Sequence, residues 1–437
     1  MRLRGKNKPK GNASSSSNRD IDASSAALDG HTESDENHQA VKSEQRSFVS
    51  AVTVTEMGDF HSSSDIQSSD SQQSDASEPI NHLHHNPLRT KDVLKPHNKY
   101  VIYGLQAGSA VLILLYLILP TTVRLFPCII SEIAFLNKVR WPPFVNLSQP
   151  SDVGLNFTRA FKLETVDDIE VGVWHMLPPA LREPDLKDDD YTKLLSKGLP
   201  IILYFHGNAG TRGGWHRVQL YKVLVKAGFH VIALDYRGYG DSNGSPTEDG
   251  ICEDGLALYH WIRQHSGSSP IYIWGHSMGT GVATKVSSML CDRGVPLSGL
   301  FLEAPFNNII EATTLHPFTQ PFKFLPWFTW AFVEAMKYNK IYFSSDVSIS
   351  RVTVPTLILH AKDDGIVPYT LGQKLYATAL ATKSKGIVEM VSFDAKHGYG
   401  HKHIHKAPEL PHIIRDFLQR CNTDRLRSSY SDNIIVN

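Results

Sequence analysis

The chain has 437 residues, enough for one large domain with appendages, and its 44 Lys and Arg balance its 44 Asp and Glu. A formal net charge of zero provides no broad electrostatic attraction for nucleic acid, so no nucleic-acid partner is expected. Cys128, Cys252, Cys291 and Cys421 lack any CxxC spacing, which argues against a zinc or iron–sulfur site; an oxidising compartment would allow a disulfide, but the spacing assigns no pairing.

From Met1 to about Asn86 the chain is rich in Ser, Asp, Gln, Asn and His and poor in large apolar residues. Such a stretch buries too little apolar surface to offset its ordering entropy, so residues 1–97 are expected to form a disordered tail. Its basic opening, Arg2 to Lys6, reads as solvated charge in preference to a trafficking signal.

Val101 to Pro120 carries no charged residue and matches the roughly 20 apolar residues that cross a bilayer core. It lies too far from the start to be a signal peptide, and residues 98–121 are predicted to be a transmembrane helix. Arg89, Lys91, Lys95 and Lys99 precede it, whereas Arg124 is the near cation beyond it. The positive-inside bias predicts a cytosolic N-terminus and a lumenal or extracellular C-terminal bulk. Two sequons, at Asn146 and Asn156, fall on that side and make these asparagines candidate glycosylation sites. A third, at Asn243, is discounted because Pro246 follows it. Residues 122–160 are expected to be a juxtamembrane linker whose apolar part, Leu125 to Phe144, lies along the membrane surface.

A large folded domain is expected over residues 161–422, with a flexible tail over 423–437. Ile169 to Trp174 alternates like an early strand. Ile201 to Phe205, Val231 to Leu234, Ile271 to Trp274, Leu300 to Leu302, Thr356 to Leu359 and Val388 to Phe393 are further strand candidates. Helix-compatible stretches, among them Trp215 to Ala227, Glu248 to Gln264 and Thr370 to Ala381, lie between them. This rhythm predicts an α/β fold with a mostly parallel sheet and helices on both faces.

Chemistry concentrates at the ends of these strands. Gly275-His276-Ser277-Met278-Gly279 stands between a strand and a helix, the context of a nucleophile elbow that exposes the Ser277 hydroxyl on a strained turn. A serine needs a base, the base needs a carboxylate, and the oxyanion needs N–H donors. His206-Gly207-Asn208-Ala209-Gly210 follows an earlier strand, so the Asn208 and Met278 amides are the candidate donors. The acid is sought after Thr356 to Leu359, where Asp364 is favoured over Asp363 by its D-x-x-V-P spacing. The base is sought after Val388 to Phe393, where His401 in Gly398-Tyr399-Gly400-His401 is favoured over His397. His403 and His405 are expected at the exposed start of a last helix, from about Pro408 to Leu418. A metal reading of this histidine cluster is disfavoured, since no acidic or Cys ligand is near it in sequence. The Asp235 to Ser242 loop either shapes the pocket or is held structurally by an Arg237–carboxylate pair. Residues 307–345 interrupt the rhythm with many aromatics and are expected to form a cap suited to an acyl chain or a lipid interface.

The span, Phe205-His206-Gly207-Asn208, Gly275 to Thr284, His360 to Pro368, Gly400-His401-Lys402 and Pro408-Glu409-Leu410-Pro411 together resemble one family. It is that of the membrane-anchored α/β-hydrolase-domain lysophosphatidylserine lipases, also described as monoacylglycerol lipases. The resemblance covers roughly Arg89 to Arg420. It implies an α/β-hydrolase fold, Ser277 as nucleophile, Asp364 as acid and His401 as base. It also implies a single-pass enzyme of the endoplasmic-reticulum membrane with a lumenal active site, acting on lysophosphatidylserine and monoacylglycerols. No metal or organic cofactor is required. Two rival readings are a protein depalmitoylase with the same triad and a catalytically dead, membrane-bound adaptor. Lumenal topology weighs against the first, and the ordered triad types weigh against the second.

Overall fold

The computed structural model describes residues 96–140, 143–382 and 386–435, so the tail expected over residues 1–97 falls almost wholly outside the described residues. Eight strands form one sheet: β1 Thr158–Glu164, β2 Glu170–Met176, β3 Ile201–Phe205, β4 His230–Leu234, β5 Ile271–His276, β6 Gly299–Glu303, β7 Thr356–Ala361 and β8 Val388–Phe393. Their spatial order is β1-β2-β4-β3-β5-β6-β7-β8, with β2 antiparallel to both neighbours and every later pair parallel. Strands β3 to β7 are buried throughout, which explains their unbroken apolar runs: helices cover both faces. Edge strand β1 was not among the expected strands. It carries Arg159, Lys162 and Glu164 and is only partly covered, so it lacks that signature.

Each crossover helix starts where its sequence provides a start. The helix Glu248–His265 is capped by Thr247, whose hydroxyl accepts from the Gly250 amide at 3.0 Å, with Glu248 and Asp249 in its first turn. The last helix runs Leu410–Ile435, well past the expected stop near Leu418 and through the expected 423–437 tail. After Pro411 no Gly or Pro interrupts it.

The apolar helix extends over Asn98–Leu125, 28 residues, and no residue of its most apolar stretch is buried. At 1.5 Å per residue it is roughly 42 Å long, more than the ~30 Å hydrocarbon core requires. Its regular turns widen to a π-helix at Leu114–Ile118, just before Pro120, which has no N–H to donate to the preceding turn. The Thr122 hydroxyl satisfies the Ile118 carbonyl there at 2.7 Å.

The expected cap lies between β6 and β7. It comprises the helix Ile309–Leu315, a run of turns, a π-helical turn at Thr329–Val333 and the helix Glu334–Tyr338. Its aromatics divide into two sets. Trp327, Phe328, Phe332 and Phe343 are buried, whereas Phe318, Phe324, Trp330 and Tyr338 are exposed. The far end of the cap is pinned by Glu248, whose Oε2 accepts from the Tyr342 and Phe343 amides at 2.6 and 2.7 Å. The end of the apolar helix packs against Thr329–Val333, and the following helix Cys128–Ala134 packs against Glu334–Tyr338.

Candidate active site

Ser277 follows β5 directly and precedes the helix Met278–Asp292, with φ 55° and ψ −123°. This conformation is costly for a residue with a Cβ and is held by its surroundings. Its amide donates to the Glu303 carbonyl at 3.0 Å. The flanking glycines are sterically required: a Cβ at Gly275 would collide with the Gly279 carbonyl, and one at Gly279 with the Phe205 carbonyl. The sequence motif therefore reflects a close crossing of β3, β5 and the helix that follows Ser277.

Three predicted residues meet at hydrogen-bond distance. His401 Nε2 lies 2.8 Å from Ser277 Oγ, and His401 Nδ1 lies 2.8 Å from Asp364 Oδ2. Asp364 Oδ1 also accepts from the Ile366 and Val367 amides, both at 2.9 Å. Burial alone would raise the Asp364 carboxyl, but hydrogen bonds from His360 and His401 hold it well below the usual carboxylate range. An ionised Asp364 requires a proton on Nδ1. Nε2 of the neutral imidazole is then left to accept from the serine hydroxyl.

The rival residues have other partners. Asp363 Oδ2 accepts from the Gly400 amide at 3.0 Å and so fastens the loop just before His401. His397 is exposed and stacks on Tyr399. His403 and His405 flank Trp215 in and beside a short turn ahead of the last helix, instead of starting that helix. No cluster of three His, Cys, Asp or Glu residues suited to a metal occurs among the described residues.

The Asn208 loop sits beside Ser277, since a Cβ added at Gly207 would lie 3.1 Å from Ser277 Cβ. Met278 opens its helix, so its amide has no intrahelical acceptor. Among the described residues neither the Met278 nor the Asn208 amide donates within the protein, which leaves both available to an oxyanion. Arg217 is buried under this loop and donates from Nη2 to the Gly207 and Ala209 carbonyls at 3.1 and 2.7 Å. The Asp235 to Ser242 loop is held structurally: Arg237 pairs with buried Asp254 through Nε and Nη2, at 2.8 Å from the latter.

Two histidines not singled out from sequence support the triad. His276 Nε2 lies 2.8 Å from the His401 carbonyl. Burial, then the neighbouring His401 charge, push the His276 imidazole well below its ordinary range, so it is neutral and its Nε2–H donates to that carbonyl. His360 lies 3.4 Å from Asp364 and 3.0 Å from the Val367 carbonyl, bracing the acid's turn. The imidazole of His316, in the segment between β6 and β7, is depressed by burial and then by His401.

Buried Glu303 accepts from Trp274 Nε1 at 3.0 Å. Burial pushes its carboxyl up to about 7, with the Trp274 bond opposing and Asp364 adding to the rise. The folded protein thus keeps a proton that the unfolded chain releases near pH 4.5, and stability falls as pH rises from there to about 7. Glu303→Gln is expected to flatten this fall, gaining up to about 3 kcal/mol at pH 8 relative to pH 5. Thermal melts of both proteins at the two pH values test this, and an equal difference at both would refute it.

The profile of the alpha/beta hydrolase fold family matches residues 200–296. The lysophosphatidylserine lipase ABHD12 of Danio rerio is 48% identical over 309 residues, covering 70% of this chain and 81% of that protein. Its Rattus norvegicus counterpart is 45% identical over 314 residues, covering 71% and 79%. The Homo sapiens protein ABHD12B is 38% identical over 301 residues, covering 68% and 82%. Identity at this level across most of each relative, on the fold described, means that the chain belongs to the ABHD12 family of α/β hydrolases.

Proposed function

We propose that the chain is a membrane-anchored serine lipase that releases the fatty acid of lysophosphatidylserine and of monoacylglycerols. The observation that carries this reading is the continuous relay from Ser277 Oγ through His401 to the ionised Asp364, each link at 2.8 Å. Ser277 Oγ attacks the ester carbonyl while His401 Nε2 takes its proton. The Met278 and Asn208 amides stabilise the oxyanion. As the tetrahedral intermediate collapses, the same proton passes to the departing glycerol oxygen and an acyl-enzyme remains. Water, deprotonated by His401, then attacks the acyl carbon; the proton returns to Ser277 and the fatty acid leaves.

The aromatic cap supports a lipid substrate. Each methylene buried is worth roughly 0.8 kcal/mol, so a long acyl chain binds far better than a short one against such a surface. The relatives named as lysophosphatidylserine lipases support the choice of head group. The exposed apolar helix supports membrane anchoring. We place the catalytic domain in the lumen of the endoplasmic reticulum, on the side away from the basic flank, with exposed Asn146 and Asn156 as its glycosylation sites.

The purified full chain in detergent is expected to release fatty acid from lysophosphatidylserine and from a monoacylglycerol, and to label with a fluorophosphonate. Expressed in cells, it should lose mobility shifts one by one in Asn146→Gln and Asn156→Gln. Hydrolysis of neither lipid would overturn the lipase reading, and absence of glycan at both asparagines would overturn the lumenal placement.

A further inference from the structure

The segment that leaves the membrane is tied to the oxyanion loop by its backbone. Asn208 Oδ1 accepts from the Leu136 amide at 2.9 Å, and Asn208 Nδ2 donates to the Ala134 carbonyl at 2.7 Å. The same Oδ1 accepts from the Tyr239 hydroxyl at 3.0 Å and from the Ala209 amide at 3.2 Å. Three donors converge on the carbonyl oxygen and one acceptor on the amide nitrogen, so the orientation of the carboxamide is fixed. Two residues on, the Gly210 amide donates to the Val139 carbonyl at 2.7 Å. Asn137 Nδ2 donates to the Gly238 carbonyl at 3.1 Å, joining the same segment to the loop beneath.

The segment itself is firmly seated. Ile130 and Phe135 are buried in the main core, and Phe135 meets Phe343 of the cap edge-on. Asn339 Nδ2 also donates to the Pro127 carbonyl at 2.7 Å. Arg217 holds the loop from below, and Ala134 to Val139 hold it from outside. The Asn208 side chain is therefore engaged away from the substrate, while its own amide is the one left without an acceptor.

We propose that residues 134–139 are a structural part of the oxyanion hole, with Asn208 as the positioning residue through which the exit from the membrane sets the direction of the Asn208 amide. The inference rests on the lipase reading above, in which that amide is a donor to the oxyanion. A donor displaced by a fraction of an ångström loses its value at the transition state, while ground-state binding of the lipid is largely unaffected.

Asn208→Ala removes all four contacts and leaves the backbone amide in place. In the full chain it is expected to lower kcat about ten- to a hundred-fold with little change in KM. Asn208→Asp, which keeps the acceptor but turns a carboxylate toward the Ala134 carbonyl, should fall in the same direction. Leu136→Pro removes the facing N–H from the other side, and Phe135 before it is already extended, as a residue preceding proline must be. Because both changes break one network, the double variant should be little worse than Asn208→Ala alone. Wild-type kcat in Asn208→Ala and Asn208→Asp, or fully additive losses in the double variant, would overturn the proposal. A loss explained by a lowered thermal midpoint and a reduced active fraction on fluorophosphonate titration would do so too. Failure of the lipase reading looks different: the unaltered chain itself would turn over no lipid.

Discussion

Ser277→Ala is expected to reduce fatty-acid release from lysophosphatidylserine by at least about ten-thousand-fold and as much as roughly a million-fold, the range seen when a triad nucleophile is removed. The residual rate would come from binding and the oxyanion donors alone. The variant should fold normally, because alanine keeps the Cβ that this tight turn already accommodates and the amide that donates to Glu303. Ser277→Gly gives a companion result. Glycine adopts φ 55° without cost, so this variant should be as inactive yet melt higher than Ser277→Ala, by an amount reflecting about 1–2 kcal/mol of relieved strain. Fatty-acid release and thermal melts on the same preparations measure both effects. Retained turnover in either variant removes Ser277 from the chemistry.

Asp364→Asn should cost about ten-thousand-fold in kcat. The carboxamide can keep its oxygen on the Ile366 and Val367 amides, which leaves its NH₂ facing His401 Nδ1. That nitrogen must then accept, the imidazole proton moves to Nε2, and Ser277 loses its base. Asp363→Asn is the natural control. It retains an acceptor for the Gly400 amide and should keep most of the activity. If the two variants exchange these phenotypes, the acid has been assigned to the wrong aspartate.

The parts of this site legible in the sequence are those encoded locally. The glycines around Ser277 and the acid turn after β7 each follow a strand whose apolar run marks it as buried, and the base loop follows the half-covered last strand β8. Chain order narrowed the search to the segments after these strands, and the D-x-x-V-P spacing and the glycines before His401 then favoured one aspartate and one histidine over their neighbours. The supporting contacts were illegible for a physical reason: they join residues far apart in the chain. Leu136 meets Asn208, His276 meets the His401 backbone, and Glu248 meets the end of the cap. Nothing in the residue types foretells these pairings, since a buried histidine and an exposed one read alike. The aromatic cap shows the same limit. Its composition announced an apolar element, but only packing separates buried Phe328 and Phe332 from exposed Phe318 and Phe324. Strand β1, with charges at Arg159, Lys162 and Glu164, resembles a loop until β2 is seen beside it.

The placement of the cap bears on how this enzyme could change over evolutionary time. The cap enters after β6 and returns before β7, so Ser277, Asp364 and His401 all lie outside it. Such an insert is ordinarily free to drift, and acyl preference can drift with it. Here that freedom is one-sided. Residues 329–339 carry the docking surface for the end of the apolar helix and its successor, with Arg124 set over the Trp330 ring and Asn339 bonded to Pro127. Exposed Phe318 and Phe324 have no such obligation. Descendants with new lipid preferences should therefore accumulate their changes around residues 316–325, while the half of the cap that leans on the anchor stays as it is.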